Sequence, residues 1–170
     1  MRRVRFSVAM SLDGYIAGPD GASDWIVIDP EIDFRGLMAA FDTVLLGRRT
    51  FEAMRAYGGA GMPGMQAYVF STTLKQADCS GAIVCDRPAE VLADLRAKPG
   101  KDIWLFGGGV LFRSLLDLGL VDAVEVAVIP VLLGGGVPLL PQGARRAKLE
   151  LVSHRVYART GTVQLEYARA

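Results

Sequence analysis

The sequence predicts an α/β fold: a mostly parallel central sheet with helices between its strands and an antiparallel hairpin at the C-terminal edge. Three observations lead there. Short apolar and β-branched stretches recur along the chain, and segments with helical spacing stand between most of them. Two of these stretches, Thr43 to Leu46 and Ile103 to Phe106, run into a glycine, where a chain can turn sharply out of a sheet. The last two, Leu149 to Tyr157 and Thr162 to Arg169, are separated only by a turn at Thr160-Gly161, which makes them antiparallel neighbours.

Each element follows in order. Val4 to Ser11 alternates and reads as the first strand, and Asp13-Gly14 with Gly18-Pro19-Asp20-Gly21 marks a loop with two turns. Pro30 stands where helices begin, and Phe34, Leu37, Met38 and Phe41 follow at spacings of three and four. That pattern predicts an amphipathic helix from near Asp29, with Glu31 and Asp33 in its first turns. Thr43 to Leu46 is a buried strand ending at Gly47, followed by a short helix from Thr50 to Ala56 and a Gly-rich loop from Gly58 to Gly64. Gln66 to Ser71 and Ala82 to Cys85 are strands, and Pro88 starts a helix through Arg96. Ile103 to Phe106 is a strand that meets Gly107-Gly108-Gly109, and a helix runs from Val110 to Leu118. Val121 to Ile129 is a long strand with an apolar-polar beat.

Composition narrows the function. A chain of 170 residues with 51% apolar content suits one domain with a single core. The longest apolar stretch, Val126 to Leu140, is broken by Pro130, three glycines and Pro138, so it reads as a strand and a loop, not a membrane helix. Nineteen basic against 18 acidic residues, a net charge of +1, give no nucleic-acid or membrane surface. The start of the chain lacks a signal-peptide pattern, and Cys79 and Cys85 form no Cys-x-x-Cys motif, so a reducing cytoplasm is the expected location. His154 is the one histidine; it cannot build a multi-histidine zinc site, and no metal is expected. Chemistry here falls to carboxylates, hydroxyls, backbone amides or a borrowed cofactor.

Open sheets of this kind bind ligands beyond the carboxyl ends of their strands, and three such ends carry suitable residues. At Gly47-Arg48-Arg49-Thr50-Phe51-Glu52, two arginines meet the positive end of a helix, which suits a phosphate or is simply a solvated basic helix start. Ser71-Thr72-Thr73 offers hydroxyls for a ribose or phosphate, or a plain turn. Phe106-Gly107-Gly108-Gly109-Val110 lets backbone amides approach a pyrophosphate, although it is not the dinucleotide fingerprint.

The order of these three strand ends resembles that of dihydrofolate reductases. Ser11-Leu12-Asp13-Gly14-Tyr15-Ile16-Ala17, Ser23-Asp24-Trp25-Ile26 and Pro130-Val131-Leu132-Leu133-Gly134-Gly135-Gly136-Val137-Pro138-Leu139 resemble the C-terminal reductase domain of the bifunctional riboflavin enzyme. The similarity spans about Val4 to Tyr167 and implies the three-layer dihydrofolate-reductase-like fold, in its riboflavin-reductase branch. It implies NADPH as cofactor, with Arg48 on the adenosine 2′-phosphate, Arg49 beside it, and Ser71 and Thr72 on the same side. Thr50, Gly108, Gly109, Val110 and Leu111 would meet the pyrophosphate, with Gly47 and Gly107 turning the chain, and Ala9 and Ile16 would line the nicotinamide pocket. Trp25 and Phe34 would border the substrate.

In dihydrofolate reductases an acid on the first helix binds the pterin and supports its protonation. Counting back from Gly47 lands on Glu31; aligning the Asp-Phe pair favours Asp33, and Asp33 is the preferred choice. Two readings stay open: a reductase of a pterin-like or aminopyrimidine substrate, and an NADPH- or folate-binding protein without turnover. The apolar series Val124, Val126, Val128 and Val131 predicts an exposed patch and a homodimer, an expectation shared by the riboflavin-type relatives.

Overall fold

In the computed structural model, which describes residues 1–56, 58–59 and 61–170, ten strands and four α-helices alternate along the chain. They are β1 (Val4–Ser11), β2 (Tyr15–Ala17), α1 (Phe34–Ala39), β3 (Phe41–Gly47), α2 (Arg48–Ala56), β4 (Gln66–Phe70), β5 (Ala82–Cys85), α3 (Pro88–Ala97), β6 (Asp102–Gly107), α4 (Gly109–Asp117), β7 (Ala123–Ile129), β8 (Val137–Pro138), β9 (Leu149–Tyr157) and β10 (Thr162–Arg169). Of the Gly-rich loop expected from Gly58 to Gly64, residue 60 lies outside the described residues.

The main sheet has eight strands in the order β5-β4-β3-β6-β1-β7-β10-β9. It is parallel from β5 to β7; β10 runs antiparallel to both β7 and β9. β2 and β8 form a separate two-stranded ladder. Strand alternation splits the core between two faces, as a sheet covered on both sides requires. On one face Val4, Phe6, Leu45, Ile103, Leu105, Val124 and Val126 pack on Leu92 and Leu95 of α3 and Leu111, Phe112 and Leu115 of α4. Phe6 stacks on Phe112 there with ring centroids 3.9 Å apart. On the other face Phe41, Val44, Leu46 and Trp104 pack against Phe51 of α2, with Leu37 and Met38 of α1 beside them.

Two expectations need correction. The helix expected from Asp29 starts at Phe34 and ends at Ala39, and Phe41 opens β3. The Asp29 carboxylate explains the late start: it accepts from the Glu31 amide at 2.9 Å and from the Thr160 hydroxyl at 2.9 Å, folding 29–32 into a turn. Asp33 then caps the helix through the Gly36 amide at 2.8 Å. The valines of β7 are not an exposed patch either. Val124 and Val126 are buried in their own subunit's core, and Val128 packs against the same cluster. The apolar beat of that strand serves the intramolecular sheet.

Candidate functional site

The carboxyl ends of β3, β4 and β6 open into one cleft of about 1670 Å³ that continues along β1 and β7 beneath α1. Crossing the sheet, it passes from a polar end built on helix starts to an apolar end built on side chains.

At the polar end, β3 delivers Gly47 and α2 starts at once with Arg48, Arg49 and Thr50, all lining the cleft. Starting a helix on the last residues of a strand leaves its first amides unpaired toward the opening. Arg48 lies 3.5 Å from Glu52, and both are about half exposed, so the pairing is weak and the guanidinium stays accessible to an anion. Ser71 and Thr72 line the cleft at the end of β4, where the Ser71 hydroxyl accepts from the Thr73 amide at 3.1 Å and the Leu74 amide at 3.0 Å. Its side chain therefore shapes the turn as well as the wall. Asp86, just beyond β5, adds a carboxylate to the same wall.

The glycine run divides its tasks. Gly107 has φ +123, a backbone state that glycine adopts far more readily than other residues, and it is the one member of the run outside the cleft lining. Gly108 lines the cleft, and a Cβ there would meet only Thr50 Oγ1 at 3.5 Å and Ile16 Cδ1 at 3.9 Å. A Cβ on Gly109 would stand 2.6 Å from the Pro138 carbonyl oxygen and 3.0 Å from that of Leu139. Gly109 thus admits the β8 segment to the start of α4. Val110 and Leu111 complete the lining on that helix.

Toward the apolar end, Ala9 of β1 and Ile16 of β2 line the middle of the cleft. Here the loop that leads into β8 is held by Asp13, which accepts from the Ser11 hydroxyl at 2.6 Å, the Leu133 amide at 3.1 Å and the Gly134 amide at 2.7 Å. The Ser11 hydrogen bond, joined by the two amides, holds the Asp13 carboxyl below the ordinary carboxylate range. Phe34, Leu37, Met38 and Trp104 wall the far end.

The expected acids are elsewhere. Asp33 is committed to the α1 cap, Glu31 is exposed and pairs with Arg155 of β9 at 3.2 Å, and neither lines the cleft. Trp25 is half-buried with its indole donating to the Ala22 carbonyl at 3.2 Å; its neighbours Ser23 and Ile26 line the cleft, and Trp25 does not. Sequence reasoning passed over Glu125. This residue of β7 is 4% exposed and lines the cleft; Arg5 Nε lies 2.5 Å from its Oε1 and Arg5 Nη2 lies 3.0 Å from its Oε2. Burial works against the Arg5 charge, but Glu125 and then Asp102 more than offset it and raise the guanidinium above its ordinary value. Ser7 and Gln164 line the same region. The only signal was a pair of opposite charges on two strands whose alternation does not say which face each residue takes.

Residues 2–163 match the RibD C-terminal domain. The chain belongs to the RibD C-terminal domain family. Its fold is dihydrofolate-reductase-like. The chain is 34% identical to the uncharacterized protein YyaP of Bacillus subtilis, over 98% of this chain and 94% of that one. A Shewanella sp. PV-4 protein, provisionally named for riboflavin biosynthesis, superposes with a TM-score of 0.84 at 27% identity, covering 100% of this chain and 99% of that chain. Dihydrofolate reductase from Enterococcus faecalis, in complex with NADP(H) and RAB-propyl, superposes with a TM-score of 0.72 at 22% identity, covering 98% of this chain and 96% of that chain. That last similarity shows the shared fold. Among the described residues of this RibD C-terminal domain, no cluster of His, Cys, Asp and Glu is arranged to hold a metal, and no helix is long and apolar enough to cross a membrane.

Proposed function

We propose that this protein is an NADPH-dependent reductase that transfers a hydride to a small heterocycle, a pterin- or dihydrofolate-like compound or an aminopyrimidine of riboflavin biosynthesis. One observation carries the reading: a single cleft joins two helix starts and two arginines to an apolar slot. That is the combination a phosphate-bearing cofactor and a flat substrate need side by side. The residues fit the cofactor. Arg48 and Arg49 would hold the 2′-phosphate with Ser71 and Thr72, while Thr50 and the amides of Gly108 to Leu111 would hold the pyrophosphate. Ala9 and Ile16 would flank the nicotinamide, and Gly47 and Gly107 shape the chain around it. When bound, NADPH supplies the hydride. Phe34 and the apolar wall exclude water from one face of the substrate and orient it. A hydride added to a C=N bond requires a proton on the neighbouring nitrogen. Asp33 stands just outside the cleft lining, between the wall residues Ile32 and Phe34, and remains the residue we propose to supply that proton through a water, with Glu31 as the alternative.

That same placement favours the second reading, a protein that binds NADPH or a folate-like ligand without turnover. Fluorescence titration with NADPH and NADH tests the cofactor: the reading requires NADPH to bind about tenfold or more tightly, as expected for a charge-assisted pair, and Arg48→Ala to abolish most of the difference. Loss of reduced-nicotinamide absorbance with a panel of pterins and aminopyrimidines separates the two readings. We further propose a cytoplasmic homodimer; the two cysteines, both unpaired, agree with a reducing compartment.

A further inference from the structure

The wall of the cleft sorts its charges by end. Its cations, Arg48 and Arg49, both stand at the polar end, where α2 begins. Every other charged residue among the described lining is an acid: Asp86 beyond β5, Glu125 on β7 and Asp20 in the loop after β2. Arg5 matches the charge of Glu125 from behind, whereas Asp20 is exposed and has no ion-pair partner among the described residues. The apolar end adds a second feature. Val27 and Ile28 line the cleft and are 55% and 58% exposed, so both face water that an apolar group would displace. Arginines stand near this segment without lining it. Arg35 is turned away from the face that Phe34, Leu37 and Met38 present to the cleft, and Arg155 pairs with Glu31 from β9.

We propose that the substrate is a heterocycle whose ring substituent is apolar, lies on Val27, Ile28 and Phe34, and carries no carboxylate or phosphate. This rests on the reading of the cleft as an NADPH-dependent reductase site. Two effects act in the same direction. An apolar substituent removes the Val27 and Ile28 side chains from water, a gain that grows with the area covered. An anionic substituent would give up hydration beside apolar side chains and Asp20, where no lining cation replaces it. Bound NADPH sharpens the choice, because its phosphates occupy the two arginines that an anion would otherwise reach. Among the compounds that reading admits, a pterin with an uncharged aryl or alkyl group is therefore favoured. A folate with its glutamate carboxylates, or a pyrimidine bearing a sugar phosphate, is disfavoured by the same wall.

The test compares three ligands that share one ring: pterin, 6-phenylpterin and folate. Equilibrium dialysis with saturating NADPH measures each, after NADPH affinity itself has been established. The unmodified protein is expected to bind 6-phenylpterin about tenfold or more tightly than either pterin or folate. Val27→Lys with Ile28→Lys supplies the missing cations at positions more than half exposed, where a lysine head can stay in water. That protein is expected to shift the ratio about tenfold toward folate. Folate bound as tightly as 6-phenylpterin by the unmodified protein overturns the proposal, and so does a ratio that the two lysines leave unchanged. Binding of NADPH with no binding of any of the three pterins overturns it equally. These outcomes leave the cofactor reading standing; failure to bind NADPH removes that reading and the proposal together.

Discussion

Single residues decide what the glycine run does. Gly108 and Gly109 are adjacent and chemically identical, yet only Gly109 has carbonyl oxygens within 3.0 Å of where a Cβ would stand. A backbone oxygen cannot rotate away as a side chain can. Gly109→Ala should therefore cost about 1–3 kcal/mol through forced separation of α4 and β8, read as a fall in the denaturation midpoint. Gly108→Ala should fold with little loss and instead weaken NADPH, since its Cβ would enter the cleft lining. Equal effects of the two substitutions on stability would remove the division of roles drawn from their geometry. Glu125 makes a similar point about charge. Of the carboxylates in the cleft wall, Asp20, Asp86 and Glu125, it is the buried one, and it is the one with a guanidinium on both oxygens.

At the scale of elements, Asp13 is the clip that holds the 130–136 loop to the end of β1, and through it the β2–β8 ladder to the cleft. Its carboxyl is held below the ordinary carboxylate range, so the folded state favours the ionised form. The stabilisation is present above the unfolded carboxylate value of about 4 and is lost as pH falls through the lower folded value. Amide exchange at Leu133 and Gly134 should stay protected from neutral pH down through about pH 4 and rise only under more acidic conditions. Asp13→Asn should raise it at every pH; a substituted protein with wild-type protection would show that the clip does not hold the loop. Which elements were legible follows from length and local chemistry. β4, β5, β9 and β10 could be bounded within a residue because apolar runs ended at turn residues. α1 was misplaced because Pro30 and Asp29 imitate a helix start, while the Asp29 carboxylate in fact builds a turn with a partner 131 residues away. β2 and β8, of three and two residues, are too short for any periodicity. Arg5 and Glu125 were overlooked because, in an alternating strand, an inward charge looks like an outward one until its partner strand is known.

For the molecule as a whole, burial of Val124 and Val126 moves the case for association from β7 to the sheet edge. β9 is a nine-residue edge strand with Leu149, Leu151, Val152 and Val156 all exposed. Long apolar edges invite pairing with another chain, and a second copy meeting its own β9 across a two-fold axis closes the assembly. Light scattering should give about twice the 18.3 kDa chain mass, and Val152→Lys with Val156→Lys should return it to one. A single-chain mass for the unmodified protein would end the homodimer proposal.

The hairpin of β9 and β10 also has an inward reach. Asp29 receives the Thr160 hydroxyl from the hairpin turn, and Glu31 pairs with Arg155 of β9. Between and beside these ties lie Ile26, Val27, Ile28 and Ile32, all of them wall residues of the cleft. The wall is therefore tied to the far edge of the sheet chiefly through the Asp29–Thr160 hydrogen bond, the exposed Glu31–Arg155 pair adding little. A force or a partner that displaces the hairpin would be transmitted to the shape of the pocket some 130 residues earlier in the chain, and removing the hairpin would cast off that wall along with the sheet's outer strands.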